Sequence, residues 1–352
     1  MSYERGYAAL NLQMPDIIPR TEYSAESHWE LIKAVTGILI NEGSSGADIL
    51  KAQKAFRKEW EYDFRWSTLI SRSEFNDHFT KMGHGIYVGN GSDFDSEIRI
   101  LYNDVEDVYG FDPFEKLLNR DKKTIVNMFE TSYKNSLEHF PEEVAMTGVY
   151  VTCISGLLEV FGWDMLLYAC GMDPDRFKDV LNRYVNWVYR YFEALAESKV
   201  PVVMVHDDMV WAEGAIFHPN WYRSYVFPAY KKLINPLVES GKKIIFTSDG
   251  NYTQFACDIA DCGVNGFVFE PLTDLNYMAE KFGKTHVLIG NADTRVLLYG
   301  NKDDIYTEVK RCTDIGRNCP GFFMAIGNHI PANTPVDNAL YYNDIFFKLR
   351  KR

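Results

Sequence analysis

From about residue 142 onward the chain repeats one alternation: a short apolar run, a few polar residues, then a helical stretch. No other feature constrains its fold as strongly. The runs are VAMTGVYVT (144–152), VPVVMVH (200–206), KKIIFTS (242–248), NGFVFE (265–270), THVLIGN (285–291) and GFFMAIG (321–327). Each is short and unalternating, as a strand covered on both faces should be. Between them, PNWYRSYVFPAYKKLINPLVESG (219–241), NYTQFACDIADCG (251–263) and NKDDIYTEVKRCTDIG (301–316) carry helical spacing and end on glycine, the first opening on proline. Strands alternating with such helices build a parallel sheet. EYDFRWSTLIS (61–71) and HGIYVGN (84–90) supply the further strands that closure requires. The expected fold is a TIM (β/α)8 barrel over residues 61–352, with residues 1–60 as a helical N-terminal extension packed on it. An open doubly wound sheet is the alternative, weakened because no GxGxxG or GxxxxGK[ST] turn follows a strand.

Composition bounds the partners. A chain of 352 residues, 46% hydrophobic and 24% charged, is that of an ordinary globule, and no run of about 18 apolar residues stands out as a membrane span. The start, MSYERGYAALNLQMPD, lacks the basic-then-apolar pattern of a signal peptide. With 37 Lys and Arg against 49 Asp and Glu, the net charge of −12 repels a phosphate backbone, so no nucleic-acid partner is expected. Six cysteines without a CxxC pair give neither a disulfide framework nor a thiolate zinc cage, which fits a reducing, cytoplasmic setting away from membranes. Pairing into a homodimer is left open by these features. Aromatic residues make up 15% of the chain, enough to fill a large core and also to line a pocket.

In a barrel of this type chemistry gathers at the carboxyl ends of the strands. Past VPVVMV stand His206, Asp207 and Asp208; past KKIIFTS, Asp249; past NGFVF, Glu270; past THVLIG, Asn291 and Asp293; past GFFMAIG, Asn328 and His329. Asp249, Asn291 and Asp293 are also ordinary helix caps. His206, Glu270 and His329 are not preferred caps, so they point to a site. Two imidazoles and several carboxylates at one mouth suit a divalent metal of the zinc class or acid–base work, and spacing alone leaves both open. His84, at the start of a short run, and Tyr150, inside the first long one, are candidate substrate contacts; a turn and a core role compete with these readings.

The succession HDDMVWAEGAIFHPNWYRSYVFPAYKKLI, IIFTSDGN, GFVFEP, LIGNADTRVLLYGNKDDIYTEVKR and AIGNHIPANTPVDN resembles the uroporphyrinogen decarboxylase superfamily over roughly residues 140–350. That superfamily contains porphyrinogen decarboxylases and corrinoid-linked methyltransferases. The decarboxylases' RQAGR-like motif is missing, with IIPRTEYSAESHWELIKAVTG in its place, and GNHI stands where they carry GHGI. The thiol methyltransferases' zinc-binding His-x-Cys-Gly and later Cys are replaced by Thr247, Asp249 and Asn328. What remains looks like the O-demethylase branch, to which the PRTEY and KAVTG stretches are also similar. The resemblance implies methyl transfer from a methoxylated aromatic compound to a corrinoid held by a separate protein. It implies zinc on Asp249, Glu270 and His329, catalytic roles for His206, Asp207 and Asp208, and substrate contacts from Tyr150, Asn291, Asn328 and His84. A decarboxylase and a methylcorrinoid:thiol or tetrahydrofolate methyltransferase are the alternatives.

Overall fold

The computed structural model describes residues 2–81 and 98–352, so HGIYVGN and its His84 lie outside the described residues. The strands in chain order are β1 (Phe64–Arg65), β2 (Val144–Ala145), β3 (Thr147–Val149), β4 (Val202–His206), β5 (Val210–Trp211), β6 (Gly214–Ala215), β7 (Lys243–Ser248), β8 (Gly266–Phe269), β9 (Val287–Ala292) and β10 (Phe322–Ile326). β3, β4, β7, β8, β9 and β10 lie side by side, every pair parallel. β1 pairs in parallel with β2, whose segment continues into β3. These staves are the apolar runs, shortened at their ends.

Closure comes from a stretch the sequence reading assigns to the helical extension. Met324 donates its N–H to the Pro19 carbonyl at 2.9 Å, Thr21 N–H returns to the Met324 carbonyl at 3.1 Å, and Asp63 N–H reaches the Arg20 carbonyl at 2.9 Å. Residues 19–21 thus stand between β10 and β1 and complete a TIM barrel. The rest of the segment is helical, with helices Tyr3–Leu10, Trp29–Thr36 and Gly46–Glu59. No stave is required from residues 84–90.

The staves separate two apolar regions by the two-residue period of a strand. Met204, Ile245, Val268, Ile289 and Phe323 belong to a cluster inside the barrel, while Val203, Val205, Phe246, Phe267, Phe269 and Met324 face the surrounding helices. One wall helix, Ile154–Met172, is long and apolar enough by composition to cross a bilayer, contrary to the sequence expectation, but two-thirds of it is buried inside the protein. Its apolar surface is used against the barrel.

Candidate active site

The same period sorts the polar residues beyond each stave. On β4, His206 shares the inward face of Met204, and Asp207 shares the outward face of Val205. Inside the mouth, the His206 ring stacks on Tyr150 at 4.0 Å with 3° between planes. Its Nδ1 donates to the Tyr150 carbonyl at 2.6 Å, since a carbonyl only accepts, and its Nε2 lies 3.1 Å from Asp208 Oδ1. Burial pushes this imidazole down, but Asp208 and then Asp249 outweigh it and raise the ring to about 9, so His206 is an imidazolium at neutral pH.

β7 delivers Thr247 and Asp249 to the same face. Gly250, at φ 80°, turns the chain sharply, and a Cβ there would meet the Trp211 carbonyl oxygen at 2.7 Å. The turn lets Gly250 N–H donate to Glu270 Oε2 at 2.7 Å, while Asp249 N–H donates to Asp208 Oδ1 at 3.0 Å. Asn328 bridges the acids, its amide donating to Glu270 Oε1 at 2.6 Å and Asp249 Oδ2 at 3.3 Å. The Asp249 carboxyl is raised well above the usual range by its crowded position and by Asp208 and Glu270. Asp249 keeps an outer face open to solvent, which relieves part of that desolvation, and the charge of His206 and the Asn328 amide pull the carboxyl back down.

His329 behaves oppositely to His206. Burial, then the charge of His206, lowers it to about 4, and its Nδ1 shares a hydrogen bond with Ser24 Oγ at 2.7 Å. His206, Asp249, Asn328 and His329 line a cavity of about 240 Å³ together with Tyr23, Trp66, Tyr150, Met204, Thr247, Val268 and Phe269. Asp249, Asn328 and His329 also border an adjoining chamber of about 440 Å³ that contains Glu270.

Three sequence expectations change here. Asp207 is fully buried in the wall and accepts from Cys153 N–H, Ile154 N–H and Ser155 N–H at 3.2, 3.1 and 2.7 Å, from Ser155 Oγ at 2.8 Å and from the Tyr230 hydroxyl. It caps the N-terminus of helix Ile154–Met172 from across the barrel wall rather than meeting substrate. Asn291 is likewise sealed: its amide donates to the Glu270 and Thr273 carbonyls at 3.3 and 3.1 Å, and its oxygen accepts from Arg311 at 3.1 Å. The zinc set of Asp249, Glu270 and His329 does not assemble, because among the described residues no three His, Cys, Asp or Glu side chains converge as metal ligands. The Glu270 oxygens already accept from Gly250 and Asn328, and His329 Nδ1 turns to Ser24.

Tyr23, Trp66 and Val268 were not among the expected site residues. Reading past β1 for the residue two positions on would have found Trp66. Tyr23 lies past residues 19–21, too short a stave to stand out among helices.

Comparison with known proteins follows the geometry. The sequence pattern of uroporphyrinogen decarboxylase (URO-D) matches residues 79–345 of the 352. The chain belongs to the uroporphyrinogen decarboxylase family. Among curated family members, the uroporphyrinogen decarboxylase of Syntrophotalea carbinolica is 27% identical over 176 residues, covering 50% of either chain. That of Geobacter sulfurreducens is 25% identical over 187 residues, 53% of this chain and 52% of its own. The chain spans about half the length of the curated relatives it matches. A methyltransferase from Methanosarcina mazei shares the fold, with a TM-score of 0.65 over 98% of this chain and 97% of its own at 18% identity.

Proposed function

We propose that the protein is a methyltransferase that removes the methyl group of a small aromatic methyl ether and passes it to a corrinoid held by a separate protein. The observation that carries this reading is the cavity. At about 240 Å³ it exceeds the roughly 150 Å³ site that takes benzene, which suits a single substituted ring. Tyr23, Trp66, Tyr150 and Met204 give it aromatic and thioether surface beside the acid Asp249, and no Lys or Arg lines it among the described residues. A polycarboxylated tetrapyrrole exceeds this cavity taken alone, and among the described lining residues only His206 offers its several carboxylates a cation. The family contains both decarboxylases by name and, among its structural neighbours, a protein named a methyltransferase, so the fold is compatible with either chemistry.

A phenyl methyl ether departs badly until charge on its oxygen is neutralised. The Asp249 carboxyl, raised by its neighbours, is the group placed to supply that proton: the methyl C–O bond breaks, its electron pair stays on the oxygen, and the oxygen takes the hydrogen from the protonated form of Asp249. The methyl carbon leaves towards a nucleophile that contributes the new bonding pair, which a reduced corrinoid presented at the barrel mouth would supply when bound. Asp208 holds Asp249 in place through the Asp249 N–H, and His206 pairs with Asp208. Asn328 orients both acids. Tyr150, stacked on His206, forms part of the ring's floor.

The test mixes the enzyme with a reduced corrinoid protein and methoxybenzenes, methanol, methylamines or thiols, and follows the loss of the reduced corrinoid's absorption. Turnover with methoxybenzenes alone supports the reading. Turnover only with a thiol acceptor moves the protein to the alternative transferase class, and carbon dioxide release from a porphyrinogen overturns it in favour of decarboxylation.

A further inference from the structure

A groove of about 670 Å³ runs outside the barrel wall between β1 and the helix Lys122–His139, apart from the mouth. Phe64 and Trp66 face the barrel interior, so Arg65 between them on the strand points outward and lines this groove. The helix contributes Asn127, Thr131, Ser132, Asn135 and Ser136, and no Asp or Glu lines the groove among the described residues. In a chain with 49 Asp and Glu and a net charge of −12, such a surface stands apart from its surroundings.

Arg65 is held in place without being neutralised. Its Nη1 donates to Ser136 Oγ at 2.8 Å, with Ser136 itself buried, and its guanidinium lies over the Phe140 ring at 4.2 Å. Those two contacts fix one nitrogen and one face. The edge formed by Nε and Nη2 has no hydrogen-bond partner among the described residues, and neither nitrogen is sealed from solvent. Burial and then the Arg57 charge push the guanidinium pKa down, and the opposing carboxylates, Glu143 and Glu26, are both taken by Arg57. Lys54 adds a further positive charge over the Phe140 ring at 5.9 Å. The Nε and Nη2 edge of an arginine is the fork that grips two oxygens of one anion. A carboxylate is used up by that edge alone, whereas a phosphate brings a third oxygen, for which Thr131, Ser132 and Asn135 supply hydrogen-bonding groups in the same groove. We infer that the groove at Arg65 is a binding site for the phosphate group of a small molecule. The site lies on the outer side of β1 and stands whatever reaction the mouth performs.

Calorimetric titration of the full-length protein, in a phosphate-free buffer, with inorganic phosphate, glycerol phosphate and acetate tests it. The wild type is expected to bind a phosphate ligand saturably and about tenfold or more tightly than acetate. Arg65→Gln removes the fork and should weaken phosphate binding about tenfold or more. Asn135→Asp changes an exposed helix position without a hydrogen bond of its own to lose, places a negative charge in the groove, and should weaken binding severalfold. Should Arg65→Gln fail to fold, Asn135→Asp carries the same test. Tighter binding of glycerol phosphate than of inorganic phosphate supports the site and identifies an ester as its ligand; equal or weaker binding of the ester supports it and identifies the free ion. No saturable binding of either phosphate by the wild type, acetate bound as tightly as phosphate, or an affinity that survives both substitutions overturns the inference.

Discussion

Asp207 and Asp249 each stand immediately past the last residue of neighbouring strands β4 and β7, yet they do opposite work. Asp207 lies outside the barrel wall with three backbone N–H groups and two hydroxyls aimed at it. Burial pushes its carboxyl up while those donors pull it back. Asp249 lies inside with other carboxylates beside it and a single side-chain amide donating to it at 3.3 Å. The first carboxyl is surrounded by what a carboxylate wants, and its energy holds a helix to a strand. The second is surrounded by what a carboxylate avoids, and the misfit shifts it towards its protonated form.

The largest effect expected from this contrast is on stability. Asp207→Ala would strand several buried donors at once and should lower unfolding free energy by about 3–4 kcal/mol in denaturant titration. Asp207→Asn, which keeps one acceptor oxygen, should lose less. Asp249→Asn should change stability little, since it removes a like-charge conflict, but should reduce methyl transfer by about 10²- to 10⁴-fold. If Asp207→Ala unfolds normally and loses only activity, the division between the two acids is wrong.

A second contrast pairs His206 with His329 across the mouth. The folded pKa of His206 is raised to about 9 from 6.5. Its contribution to stability is therefore complete below pH 6.5 and disappears as pH rises through 9, a change of about 3 kcal/mol by linkage. His329 is lowered to about 4, so its contribution is complete above pH 6.5 and lost as pH falls through 4. His206→Gln should flatten the alkaline arm of the stability profile alone, and His329→Gln the acid arm alone. Loss of the alkaline slope in neither variant would show that Asp208 does not hold His206 charged.

Much of this was legible in the residues. The six apolar runs became staves, because continuous burial on both faces leaves an unbroken hydrophobic signature. Residues 19–21 did not, since three residues of stave carry no periodicity of their own and owe their geometry to β1 and β10. The placement of His206, Asp208, Asp249, Glu270, Asn328 and His329 around the mouth followed from strand ends. Counting by two from Met204 would also have turned Asp207 outward. Asn291 defeats that count, because it follows Ile289 on the inward face yet is taken up by carbonyls and by Arg311 from outside. Partners contributed by distant chain are invisible to a local pattern.

The smallest expected effect sharpens the same contrast between groups that serve the fold and groups that serve the site. Thr247 is 7% exposed, and its hydroxyl finds no partner among the described residues, while its neighbour Ser248 Oγ accepts from Met209 N–H at 3.4 Å and donates to the Asp249 carbonyl at 3.0 Å. The two differ by one position along β7, one facing the cavity and the other the wall. Removing an unsatisfied hydroxyl without changing side-chain shape relieves a desolvation cost. Thr247→Val is therefore expected to raise unfolding free energy by up to about 1 kcal/mol and to leave ring affinity as it was. Ser248→Ala should instead lower stability by about 1 kcal/mol and leave ring affinity as it was. Matched denaturation curves and ring titrations on the two variants read both quantities. If Thr247→Val loses stability as Ser248→Ala does, the hydroxyl at 247 has a partner in the folded chain and serves the fold as Ser248 does.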